Sequence, residues 1–289
     1  MKFIINILLI YIYIQMNIPK LIHQIYWDFS GNNKPPSTKW QKFSKSWKQK
    51  FPDWKYILWN EKTCQNLLKI YYPWFLSKYN SYTLPIQKTD VIRPFILYHY
   101  GGMYVDMDYE CFYNFETYLT DNPSPIYIVE ETGFLPVLFQ NSLMISIKVH
   151  PFWIEVIKEF NKGPTLLTKI LPSGLCVLYS TGPLLLQNVY NQTKAKSDIF
   201  ILPKKQFNPT LNIFKKKRCE NNKCFAIHHH NGSWIFSEDF RKLRSKWFLS
   251  SRNASTLFGP KKLIGVIMIV MIVMIVIFVV YRKYFFKET

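Results

Sequence analysis

The stretch LIGVIMIVMIVMIVIFVVY, residues 263–281, runs for 19 residues without a charge. As a helix it would reach about 28 Å at 1.5 Å per residue, close to the hydrocarbon thickness of a bilayer. A core helix of a water-soluble domain seldom runs so far without a polar break, so this segment is expected to span a membrane. Lys261 and Lys262 precede it, and Arg282, Lys283 and Lys287 follow in a short basic tail, 282–289. Both flanks are basic, so the positive-inside rule leaves the orientation open. At the other end, Phe3 to Ile14 is apolar apart from Asn6. Residues 1–16 fit either an uncleaved signal anchor or an edge strand, and no small-residue cleavage site follows them.

Between these segments, residues 17–258 read as one domain with no internal repeat and no long Gly/Ser linker. The chain is 48% hydrophobic and 18% aromatic, which is enough for a sizeable core. Its net charge of +19 rests on 31 lysines and only 6 arginines. Readers of phosphate and base edges favour arginine, whose planar fork binds bidentately. No zinc-finger or RNA-recognition signature appears, so nucleic acid is not an expected partner. Three glycosylation sequons, at Asn191, Asn231 and Asn253, favour a lumenal domain. Cys219 and Cys224 could form a small disulfide or stand as two thiols, while Cys64, Cys111 and Cys176 read as buried singles. No metal-thiolate spacing is present.

Strand and helix signals alternate along this domain. IPKLIHQIYW, residues 18–27, alternates apolar and polar side chains before turn-forming residues and reads as a first strand. Trp40, Phe43, Trp47 and Phe51 fall at helical spacing. WKYILWN reads as a strand, TCQNLLKIYYPWFL as a helix, and TDVIRPFILYHYGG as a helix stopped by two glycines. Pro94 lies inside that last helix, where it removes one hydrogen bond and tends to kink it. MYVDMDYE and SPIYIVEE read as further strands. The expected architecture is an α/β/α sandwich on a mostly parallel sheet, with ligands beyond the carboxyl ends of the strands.

Within MYVDMDYE, a strand would turn Tyr104, Asp106, Asp108 and Glu110 to one side. Two carboxylates on one side of a partly desolvated cleft repel, and one is driven to protonate. A divalent cation removes that penalty, and oxygen ligands suit Mg²⁺ or Mn²⁺. An Asp-x-Asp triplet is common, however, and solvated carboxylates at a loop end are the plain alternative.

The surroundings of the triplet narrow the choice. KTDVIRPFILYHYGGMYVDMDYECF resembles the signature of the inositol-phosphoceramide mannosyltransferase-like DXD glycosyltransferases, carbohydrate-active family 32. IPKLIHQIYW, FPDWKYILWNE, NSLMISIKVHPFW, STGPLLL and AIHHHNGSW are similar to five further blocks of that group, in the same order, so that the likeness spans residues 18–234. Thr89 and Lys148 depart mildly from the pattern. The resemblance implies a Rossmann-like GT-A fold and a nucleotide-sugar donor. It also implies Mn²⁺ or Mg²⁺ at the diphosphate, and transfer of a hexose with retention. The acceptor would be a glycolipid or glycan at a Golgi or ER membrane, and mannose from GDP-mannose the donor sugar. A UDP-sugar donor and a catalytically silent nucleotide-sugar-binding protein remain alternatives.

By the same resemblance Asp108 binds the metal and Asp106 bridges metal and donor ribose. His228 supplies a third ligand to metal or diphosphate. Asp90 and Arg93 hold donor hydroxyls and phosphate. His23 and Gln24 contact the nucleotide, Gly102 admits the donor close to the backbone beside Tyr104, and Trp234 caps the site.

Overall fold

A computed structural model of the chain describes residues 17–29, 31–131, 139–162, 173–209, 219 and 224–230. All of them fall in the first of two compact units, Met1–Ser237. Residues 1–16, the segment 263–281, the tail, Asn231, Asn253 and Trp234 lie outside the described residues. Among the described residues no helix is long and apolar enough to cross a membrane.

The chain opens with β1 (Leu21–Ile25), α1 (Thr38–Lys50), β2 (Lys55–Trp59), α2 (Glu61–Tyr71), α3 (Pro73–Ser81) and α4 (Pro85–Tyr100). Then come β3 (Gly102–Val105), β4 (Tyr109–Cys111), α5 (Glu116–Asp121), β5 (Ile126–Glu130) and β6 (Phe139–Ser146). The rest is α6 (Pro151–Asn161), α7 (Ser173–Ser180), α8 (Pro183–Gln192), β7 (Ile199–Leu202), α9 (Lys204–Phe207) and β8 (Ala226–His228). Local chemistry sets many helix starts. Ser37 caps α1 by accepting from the Trp40 N–H, and Asn60 and Thr63 form a reciprocal capping box on α2. Proline opens α3, α4, α6 and α8, where its missing N–H costs nothing. Pro73 also divides what the sequence suggested was a single helix into α2 and α3.

Six strands form one mixed sheet in the order β2-β1-β3-β6-β5-β7. Strand β1 runs parallel to β2 and β3, and β5 parallel to β7. β6 is antiparallel to both its neighbours. Apolar side chains alternate across the sheet. Tyr104, Ile126 and Ile128 join one core with Ile92, Phe95, Phe152 and Trp153 from α4 and α6. Met103, Val105, Tyr127 and Val129 join the other with Trp47, Phe51, Phe115 and Phe207. The α/β/α layering expected from the sequence is thus present.

Helix α4 runs unbroken through Pro94. It ends on Gly101 and Gly102, both in the left-handed region with φ of 64° and 88°. A Cβ on Gly102 would lie 2.6 Å from the Leu21 carbonyl oxygen. The close approach that requires glycine here is therefore to the β1 backbone.

The expected single strand MYVDMDYE is the main departure. β3 ends at Val105, Asp106 to Asp108 form a turn, and the chain re-enters a second, two-stranded sheet as β4 against β8. The Tyr109 N–H donates to the Asp106 carbonyl at 3.1 Å, closing the turn. Just ahead of β8, Cys219 and Cys224 are bridged and pack with Ile227 and Phe112. Cys64 and Cys111 are buried free thiols, while Cys176 is only half-buried.

Candidate metal centre

The turn at Asp106–Asp108 sits where the chain leaves the large sheet for the small one. The Asp106 N–H donates to the Ser142 carbonyl on β6 at 2.8 Å, holding the turn against the sheet. In the small sheet, antiparallel pairing sets His228 opposite Tyr109. The His228 ring stacks on the Tyr109 ring at 5.0 Å and 6°. The His229 N–H donates to the Asp108 carbonyl at 2.9 Å. Two carboxylates and an imidazole from positions 106, 108 and 228 are thereby brought together, and one ligand atom from each lies within 4.8 Å of the others. Their convergence comes from the turn and the β4–β8 ladder, since alternation on one strand stops at Val105.

The spacing suits a small hard cation. Two ligands at right angles on an octahedral ion, each at about 2.1 Å, lie about 3 Å apart. His228 Nε2 and Asp108 Oδ1 are 3.1 Å apart. Carboxylate oxygen with one imidazole matches Mg²⁺ or Mn²⁺ chemistry. No other such group of three occurs among the described residues.

Behind the turn lies a chain of buried charges. Asp106 Oδ1 accepts from the Tyr104 hydroxyl at 2.5 Å and from Arg93 Nη2 at 3.0 Å. Arg93 Nη1 donates to Asp90 Oδ1 at 2.9 Å and to the Asn141 carbonyl at 3.1 Å. Asp90 is also held by Asn141 Nδ2 at 3.1 Å and by the Thr181 hydroxyl at 3.2 Å. The Arg93 guanidinium lies 5.0 Å over the Tyr104 ring. Burial pushes the Asp90 carboxyl up to about 6 against the pull of Arg93. It raises Asp106 as well, again opposed by Arg93. The guanidinium opposes that rise in both the buried Asp90 and the partly exposed Asp106.

The remaining residues singled out in the sequence are placed less directly. Gln24 donates to the Asp106 carbonyl at 3.1 Å and accepts from Tyr56 at 2.6 Å, so it braces the turn from β1. Tyr104 is buried, with its hydroxyl committed to Asp106. Glu110 lies apart from the three ligands, paired with His229 at 2.9 Å, and His229 stacks on Phe43. His23 is fully buried away from the turn. Its Nε2 donates to the Gly101 carbonyl at 3.0 Å and its Nδ1 accepts from Trp59 at 3.1 Å, leaving no polar ring atom for a nucleotide. It ties β1 to the end of α4. Asn141, Gln140, Ser142 and Thr181 gained no role from the sequence, although Asn141, Ser142 and Thr181 lie in blocks that already resembled the family.

Burial pulls His23 down to about 4, which has a measurable consequence. Between pH 4 and the ordinary value near 6.5, the unfolded chain binds more protons at this site than the folded one. The contribution is complete above pH 6.5 and is lost as the pH falls towards 4, roughly 3 kcal/mol for a shift of that size. Urea unfolding at pH 7 and pH 4.5 should show this acid loss, and His23→Gln should remove that part of it. Equal losses in the two proteins would refute the assignment.

Residues 37–125 match the family described as the glycosyltransferase sugar-binding region containing the DXD motif. That match takes in Asp90, Arg93, Asp106 and Asp108. It is 34% identical to inositol phosphoceramide mannosyltransferase 3 of Schizosaccharomyces pombe, over 63% of this chain and 47% of that protein. It is 35% identical to mannosyl phosphorylinositol ceramide synthase CSH1 of Saccharomyces cerevisiae, over 63% of this chain and 44% of that protein. The chain therefore spans just under half the length of these relatives. Among solved structures, a glycosyltransferase involved in the glycosylation of the major capsid of PBCV-1 aligns at 10% identity and a TM-score of 0.44. That alignment covers 73% of this chain and 92% of that one.

Proposed function

We propose that the chain is a metal-dependent, retaining GT-A glycosyltransferase. It moves a hexose, mannose from GDP-mannose, onto a glycolipid or glycan at a membrane. The observation that carries this reading is the convergence of Asp106, Asp108 and His228 in front of the buried Arg93. The family match over residues 37–125 and the names of the two yeast relatives support it.

The chemistry follows from the charges. The bond from the sugar's anomeric carbon to the diphosphate breaks, and negative charge gathers on the departing phosphate. Mn²⁺ or Mg²⁺ held by Asp106, Asp108 and His228 would supply Lewis-acid neutralisation of that charge. Arg93 and Tyr104 fix Asp106 in one orientation, and Gln24 holds its backbone, so the ligand set is organised before donor arrives. No described side chain is arranged as a nucleophile. The acceptor hydroxyl bonds to the anomeric carbon on the face the diphosphate leaves, and its proton passes to the departing phosphate.

We place this work on the lumenal side of a Golgi or ER membrane. The sequons support that side, and Asn191 is exposed at the end of α8. So does the Cys219–Cys224 bridge, since disulfides persist in oxidising compartments. The segment 263–281 supports a membrane anchor.

The test is a donor screen with the full chain in detergent, offering GDP-mannose, UDP-galactose and UDP-glucose with Mn²⁺. Turnover of GDP-mannose that stops on chelation and returns with Mn²⁺ is expected. Turnover of a UDP-hexose alone would overturn the choice of donor. Binding with neither transfer nor hydrolysis would overturn the enzyme. The same material made in eukaryotic cells should migrate faster after N-glycan removal, and no shift would contradict the lumenal placement.

A further inference from the structure

Among the described residues, no third His, Cys, Asp or Glu joins the His229–Glu110 pair stacked on Phe43 as a metal-holding group. Lys204, Glu130 and Glu131 are occupied with one another at the β5 end. Ile70, Tyr71 and Trp74 are exposed, but nothing in the structure shows what covers them. The pair Gln140 and Ser142 behind His228 goes further.

A metal-binding imidazole must present a bare nitrogen, and which nitrogen is bare depends on what the other one faces. His228 turns Nε2 towards Asp108 and Nδ1 inwards. Nδ1 lies 3.2 Å from Gln140 Oε1 and 3.3 Å from the Ser142 hydroxyl oxygen. The orientation of the Gln140 amide is set independently. Its Nε2 donates to the Glu130 carbonyl at 3.4 Å, and the Ser142 hydroxyl donates to its Oε1. A reversed amide would set two acceptors, Oε1 and the Glu130 carbonyl, against each other. It would also turn a donor towards Nδ1 and remove the Ser142 acceptor. In the observed orientation Oε1 can only accept, so Nδ1 carries a proton, and a cation bound between Nε2 and the Asp108 carboxylate would take the place of any proton those two share. Both Gln140 and Ser142 are buried, so water cannot stand in for them easily.

From this we infer that Gln140, oriented by Ser142, is a positioning residue that fixes the His228 tautomer and ring for metal binding. The inference rests on the metal site proposed above. Partners of this kind behind a ligating histidine change metal affinity by about 10–100-fold when removed. Gln140 reaches the metal only through His228, so its effect belongs to affinity and not to the bond that breaks.

The experiment measures Mn²⁺ binding by electron paramagnetic resonance on the full chain, with no donor present. Gln140→Leu should weaken binding by 10-fold or more. Gln140→Glu keeps an acceptor facing Nδ1 and should bind Mn²⁺ at least as tightly as the native chain. Ser142→Ala should weaken binding by a smaller factor, and it replaces Gln140→Leu in the test should that variant fail to fold. Native-like Mn²⁺ affinity in Gln140→Leu, or a 10-fold loss in Gln140→Glu with an unchanged melting temperature, would overturn the positioning role while leaving the metal site standing. No Mn²⁺ binding by the native chain would overturn both.

Discussion

Asp108→Asn is expected to reduce donor turnover by about a thousandfold, the scale seen when one group that stabilises transition-state charge is removed. The substitution is nearly isosteric. It keeps an oxygen that can face His228, and the backbone carbonyl of residue 108 still accepts from His229. What it removes is one of the two negative charges in a group of three ligand atoms within 4.8 Å. Stability should change little, because Asp108 lies in a turn and outside both large cores. The check is a comparison of turnover with the thermal melt. Turnover within tenfold of native, in a variant that melts normally, would mean that the carboxylate is not a ligand of the working enzyme.

Arg93→Met is expected to act on the fold as well. Arg93 and Asp90 are both almost fully buried, and one guanidinium serves Asp90, Asp106 and the Asn141 carbonyl together. Methionine fills similar volume and leaves the buried Asp90 and the partly exposed Asp106 without the cation they share. Breaking a buried pair by removing one partner costs about 3–5 kcal/mol. Lysine should rescue little, since a single ammonium cannot reach two carboxylates and a carbonyl in the geometry of the fork. Urea unfolding at pH 7 would give the value, and a loss below 1 kcal/mol would show that the carboxylates find other partners. Part of the loss should disappear on acidification, because the carboxylates left behind can take up protons.

Much of the fold could be read from local signals. Helices with caps and prolines at their starts, and strands with alternating apolar residues, stand close to where the sequence put them. Strand β6 was harder to read, because it is buried on both faces and lies between β3 and β5, with no alternation to betray its direction. The turn at Asp106–Asp108 was missed for a related reason. MYVDMDYE carries strand-forming residues throughout, and only pairing with β8, far along the chain, takes Tyr109 out of the large sheet.

The same contrast holds at the site. Asp90, Arg93, Asp106, Asp108 and His228 sit in blocks whose spacing was informative, and the structure brings them into one connected group. His23 lies in an equally suggestive block but is spent on Gly101 and Trp59. A motif reveals that a residue matters without revealing whether it touches a ligand or holds the backbone that does. Gln140 and Ser142 could not be singled out, because their effect depends on which nitrogen of His228 they face.

The pairing of β4 with β8 also bears on the order in which the molecule is made. Asp108 and His228 are 120 positions apart, and the last strand of the large sheet ends at Leu202. A chain emerging from the ribosome as far as Phe207 holds every strand of that sheet and both carboxylates, yet has no imidazole to complete the ligand set. Long-range closure of this kind is among the slower steps of folding. A cation at the proposed site would therefore be captured only once His228 has been made, and bound there it would hold β8 to the body made before it.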